Sequence, residues 1–122
     1  MSDAGGPIEP RDTPGWKFYM NHLKYFFDGD IDGLVKNDYT EDAELLAGEF
    51  AVKGTDALRE VFTGYLQMVG PFTLRTTDKF FETDDAIILE ATMDTQNTGE
   101  RKVYDAFVMR DGKISHHFTG VR

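Results

Sequence analysis

The chain has 122 residues, 40% of them hydrophobic and 13% aromatic, which suffices for one core that also encloses a cavity. A net charge of −9 excludes a nucleic-acid binder, because no basic stripe displaces counterions from phosphate, and it opposes docking on anionic lipid. Cysteine is absent, which excludes disulfides and thiolate metal sites, and no run reaches the ~20 apolar residues of a membrane span or resembles a signal peptide, so a cytoplasmic location is expected.

Residues 1–13 carry Gly5, Gly6, Pro7 and Pro10 with little apolar content and are expected to form a flexible lead-in to a single domain over 14–122. Thr13 supplies an N-cap and Pro14 the first position of a helix that runs to about Asp28. On it Phe18, His22 and Phe26 recur every four residues and share one stripe. Gly29 breaks that helix, and Asp30 can cap a short second one over 31–37. A strand over 42–47 turns near Gly48 and returns through 50–52. Thr55 then caps a third helix, whose apolar positions Leu58, Val61, Phe62, Tyr65, Leu66 and Val69 keep helical spacing until Gly70-Pro71 stops it. The remainder alternates as strands over 72–82, 86–95, 101–110 and 113–121, joined by short turns, which implies an antiparallel meander.

Helices before a meander make an α+β domain, with the helices on one face of a curved antiparallel sheet. Tyr104, Ala106 and Val108 leave the other face partly apolar, so a homodimer through the outer sheet face is expected. The last hairpin carries the chemistry. Asp105 shares a strand face with Phe107 and Met109, where an ionised carboxyl is costly and its pKa should rise unless a partner compensates. With a two-residue loop at Asp111-Gly112, Asp105 pairs with Phe118 and His116 shares its face. With a three-residue loop and a bulge, Asp105 pairs with His117 instead.

The walls of a pocket for a small hydrophobic molecule would come from the first and third helices and the sheet. Phe18, Phe26, Phe62, Tyr65, Leu66, Phe107 and Met109 are the expected wall residues, and Glu49, a turn residue, could reach the mouth. Three histidines, two of them on opposite faces of one strand, make no converging metal set, so no metal is expected. No phosphate-binding glycine loop, nucleophile elbow or dinucleotide fingerprint appears, so no cofactor is expected. Asp28, Asp30, Asp32, Asp38, Glu41 and Asp42 are assigned to caps and turns as a solvated face.

Four marks in order resemble the NTF2-like superfamily, in its SnoaL-like and ketosteroid-isomerase-like branch. They are Gly29-Asp-Ile-Asp-Gly-Leu-Val35, Tyr39-Thr-Glu-Asp-Ala43, Lys53-Gly-Thr-Asp-Ala-Leu-Arg59, and Asp105-x-Phe-x-Met109 with Asp111-Gly-Lys-Ile114. The resemblance implies a cone of three helices on a curved sheet (a cystatin-like arrangement). It places the acid that hydrogen-bonds the substrate oxygen on Asp105, its tyrosine partner on the His22 slot and the carboxylate base on Ala47. It also favours His117 over His116 as the pocket histidine. Ala47 cannot move a proton, which argues against steroid isomerisation. What the resemblance then implies is a cofactor-independent enzyme that isomerises, cyclises or dehydrates a hydrophobic carbonyl or enol compound. Asp105, His117 and His22 would be its catalytic residues, with Ala47 beside the substrate. The alternative is a non-catalytic binding or assembly module on the same fold. A further alternative, an epoxide hydrolase, would need two carboxylates bridged by an arginine and a water; Arg75 and Arg101 are available, but the sequence does not assign either to the pocket.

Overall fold

The computed structural model describes residues 8–122, so residues 1–7 of the expected lead-in lie outside the described residues. From Ile8 the chain is tied down. The Ile8 N–H donates to the Thr77 carbonyl at 2.7 Å, and Arg11 Nη1 donates to the Phe80 carbonyl at 3.0 Å.

Helix α1 (Pro14–Asp28) starts on Thr13, whose hydroxyl accepts from the Trp16 N–H at 3.3 Å. Glu82 closes the same end, bonding the Thr13 hydroxyl and accepting from the Gly15 N–H at 2.9 Å. A carboxylate there satisfies donors that the helix leaves open and sits favourably on its dipole. Glycine at position 15 leaves room for this contact, since a Cβ there would push the Glu82 carboxylate aside. Helix α2 (Ile31–Asp38) is capped by Asp30, which accepts from the Gly33 N–H at 2.9 Å. Strand β1 (Tyr39–Leu46) follows without a loop, then the short β2 (Ala51–Lys53). Helix α3 (Thr55–Val69) begins one residue earlier than expected. Gly54, not Thr55, is its cap and, having no side chain, gives it no side-chain bond; the Gly54 N–H is held by the Ala43 carbonyl of β1 at 2.9 Å.

The expected meander is present as β3 (Phe72–Glu82), β4 (Ala86–Thr95), β5 (Gly99–Arg110) and β6 (Lys113–Val121). The sheet has six strands in the order β2-β1-β6-β5-β4-β3. It is not wholly antiparallel, as the sequence led us to expect, for β1 runs parallel to β6. Turn signals fix only neighbouring strands, and β1 meets β6 across a helix and three intervening strands of the meander. Register shifts within β3–β4 and β5–β6 mark bulges, which bend the sheet. The helices pack on its inner face, where Trp16 meets Phe80 edge-on at 4.9 Å and Leu34, Leu58 and Phe62 complete the centre of the core. On the outer face Phe81, Ile88, Ala106 and Phe118 stand opposite one another across four strands. Phe81 is 67% and Ile88 52% exposed there. No helix among the described residues is long and apolar enough to cross a membrane.

Candidate active site

The site is set by how the β5–β6 hairpin closes. Asp111 and Gly112 both have positive φ, the requirement of a two-residue turn, and Arg110 faces Lys113 across it. Ser115 is then an extra residue, since Met109 pairs with Ile114 but Val108 pairs with His116. The Ser115 hydroxyl donates to the Val108 carbonyl at 3.1 Å within this bulge. Asp105 therefore pairs with Thr119, not with Phe118 or His117. The sequence offered a tight loop or a bulge as alternatives; the molecule has both, and the combination turns His117 inward. His116 faces outward, 3.6 Å from Glu44.

His117 Nε2 lies 2.7 Å from Asp105 Oδ1, and its Nδ1 lies 2.8 Å from the Tyr39 hydroxyl. Tyr39 is buried, and burial together with the nearby Asp105 charge pushes its hydroxyl well above the ordinary phenol range. It stays protonated and has one hydrogen-bond partner among the described residues, so its O–H donates to Nδ1. The imidazole then carries its proton on Nε2 and donates it to the Asp105 carboxylate. This N–H is the compensating partner that a carboxyl among apolar side chains requires. Phe107 holds the ring edge-on at 4.7 Å. The Asp105 side chain is 23% exposed against 5% for His117, so the carboxylate stands in front and the imidazole behind it.

A second pair faces the same space. His22 Nδ1 lies 2.8 Å from Asp38 Oδ2, with both side chains only 5% exposed. Asp38 was expected to be solvated. It instead ends α2 on the inward stripe with Leu34 and Val35 and is buried. Burial pushes the His22 pKa down, opposed in part by the bond to Asp38, so the ring is neutral near pH 7. Its Nδ1–H donates to Asp38, which leaves the Nε2 lone pair without a hydrogen-bond partner among the described residues. Phe18 stacks on one side of the ring at 5.9 Å and Phe26 meets it edge-on at 5.4 Å. The two imidazole centroids are 6.4 Å apart.

His22, Asp105 and His117 line a cavity of about 600 Å³ between α1, α3 and the sheet, with Asp38 behind His22. Phe26, Phe62, Tyr65, Ala47 and Phe107 line it, and Glu49 stands exposed at its mouth. Three expected wall residues do not line it. Phe18 stands behind His22 and Phe107 rather than at the surface of the cavity. Leu66 is one position past Tyr65, about 100° further round the helix, and faces a surface groove beside Ile31 and Gln67. Met109 lies beyond the bulge and packs against the core. Sequence reasoning also missed Asp38, Tyr39 and Arg101. The apolar stripe of α2 could have shown Asp38. Arg101 shares the inward parity of Val103 and Asp105 and lines the cavity, whereas Arg75 pairs with Glu100 at 2.6 Å and with Asp94 on the exposed side.

Residues 20–117 match the family model of the SnoaL-like domain. The chain belongs to the SnoaL-like family. Solved structures agree on the NTF2-like fold. An NTF2-like protein from Anabaena variabilis is 18% identical, with 96% of each chain covered and a TM-score of 0.73. TerC, co-crystallised with polyporic acid, is 19% identical over 90% of this chain and 92% of its own, with a TM-score of 0.74. A polyketide cyclase candidate from Sinorhizobium meliloti is 13% identical over 84% of this chain and 93% of its own, with a TM-score of 0.72. At these identities the likeness is one of fold. No curated protein matches the sequence.

Proposed function

We propose that this SnoaL-like protein is a cofactor-independent enzyme that moves protons around the carbonyl of a small hydrophobic molecule, in an isomerisation, cyclisation or dehydration. The supporting observation is that two carboxylate–imidazole pairs face one cavity in opposite order. His22 presents a neutral nitrogen backed by Asp38; Asp105 presents a carboxylate backed by His117 and Tyr39. In an isomerisation, Asp105 takes a proton from the carbon beside the carbonyl and the C–H electron pair forms the enolate. The resulting carboxylic acid returns the proton at a second position. In a dehydration, Asp105 takes the C–H proton and the C–H electron pair forms the C=C bond. The hydroxyl leaves as water with the proton that the resulting carboxylic acid returns, the neutral His22 Nε2 accepting a hydrogen bond from that hydroxyl. Tyr39 and His117 keep the carboxylate oriented through each cycle. TerC and the cyclase candidate are likenesses consistent with a small-molecule role for the cavity.

The test is deuterium uptake from heavy water into 2-tetralone, followed by NMR. Exchange at the carbons beside the carbonyl should exceed that in imidazole buffer and fall to the buffer rate in Asp105→Asn. Exchange no faster than buffer, or unchanged in that variant, overturns the proposal. Ala47 favours a second reading, a binding module, because it puts a methyl group on the cavity wall where the resemblance called for a base. Binding of 2-tetralone without exchange is the outcome that reading requires. The apolar row Phe81, Ile88, Ala106 and Phe118 further supports a homodimer through the outer face. Sedimentation should show a dimer that Phe118→Glu dissociates; a monomer at all concentrations removes this part.

A further inference from the structure

The chemistry above leaves Arg101 without a task. It lies on the inner face of β5, four residues from Asp105, a separation of ~13 Å at the rise of a strand. Its guanidinium carbon is 5.5 Å from the centroid of the Tyr65 ring, and its Nε is buried with no hydrogen-bond partner among the described residues. No carboxylate of the described residues pairs with it, while Arg59, Arg75, Arg110 and Arg122 all have acidic partners. A buried donor left unmade is unfavourable, and a guanidinium fork matches the two oxygens of a carboxylate. Arg101 is also the one Lys or Arg among the described residues that line the cavity, in a chain whose net charge of −9 otherwise repels anions.

We propose that Arg101 anchors a carboxylate on the molecule that occupies the cavity, so that the ligand is a hydrophobic keto acid. Its carboxylate lies at Arg101, its apolar body runs past Val103, Ala91 and Tyr65, and its carbonyl reaches Asp105. The two ends are not interchangeable, because Asp105 repels a second carboxylate at its own end. This assignment rests on the proton-transfer reading for the position of the carbonyl, but the anchor can be tested without turnover.

The probe is 4′-acetylbiphenyl-4-carboxylate, which has a ketone and a carboxylate at opposite ends, with its methyl ester as the uncharged control. Calorimetric titration should show the acid binding at least about tenfold tighter than the ester, ~1.4 kcal/mol. Arg101→Met should abolish that preference and leave ester affinity within about threefold; Arg101→Gln serves the same purpose if the methionine variant does not fold by circular dichroism. Equal affinity for acid and ester in the unchanged protein overturns the anchor, as does a preference that survives both substitutions or no binding of either compound. Deuterium uptake into the acetyl group of the ester reports the acid/base chemistry separately, so either idea can fail without the other.

Discussion

The His22–Asp38 and His117–Asp105 pairs are built from the same two groups and placed back to front. In the first, both members are buried and the carboxylate lies behind the ring. In the second, the ring is buried, braced by Tyr39, and the carboxylate faces the cavity. In the proposed chemistry, the member that faces the cavity decides which atom the substrate meets, so one pair offers a nitrogen lone pair and the other an oxygen. The contrast also separates their structural weight. The Asp38 pair carries more structural weight because both its side chains are only 5% exposed, whereas the Asp105 side chain is 23% exposed.

The sharpest way to break the comparison is Asp105→Asn. Deuterium uptake should fall by about 10²–10⁴, the usual contribution of a positioned proton-transfer group, while the urea midpoint stays nearly constant. Asp38→Ala should do the reverse in stability, costing about 1–3 kcal/mol in urea unfolding because the His22 N–H is left buried without an acceptor. Asp38→Asn, which restores an acceptor oxygen, should recover most of that loss. Equal stability losses at Asp38 and Asp105 would erase the distinction between the pairs.

Acid should also reveal the difference. The His22 pKa is lowered from 6.5 in the folded protein, so below that pH the unfolded chain takes up a proton that the folded one refuses. Its contribution is complete above pH 6.5 and is lost as the pH falls below it, by up to about 1.4 kcal/mol per pH unit. Urea unfolding at pH 7.5 and 5.5 should show this slope diminished in His22→Gln. The smallest effect is expected of Tyr39→Phe, about 1 kcal/mol for the lost hydrogen bond. A fall in the exchange rate should accompany it, as the His117 ring loses the hydroxyl that fixes its tautomer.

Helix and strand positions were legible because their periodicities are local. The stripe through Phe62 and Tyr65 and the turn at Asp111-Gly112 each needed only a few consecutive residues. Asp105 and His22 stood out for the same reason, each inside an apolar pattern, whereas the choice of His117 over His116 came from the resemblance. The parallel pairing of β1 with β6 was not legible, since no local signal joins segments so far apart. Asp38 was misread because it was grouped with its acidic neighbours rather than with the stripe of Leu34 and Val35. Tyr39 could be placed only once β1 and β6 were known to be adjacent. Arg101 had the right parity, but the depth of a guanidinium depends on what the opposite helix leaves open, here the face of Tyr65.

The extra residue at Ser115 makes the tandem histidines a form of redundancy. Ironing out the bulge would rotate the end of β6 by one position, bringing His116 inward and sending His117 to the surface. An imidazole would still stand opposite Phe107, and Phe118 would replace Thr119 opposite Asp105. A lineage could therefore gain or lose that kink without ever passing through a form that lacks the ring.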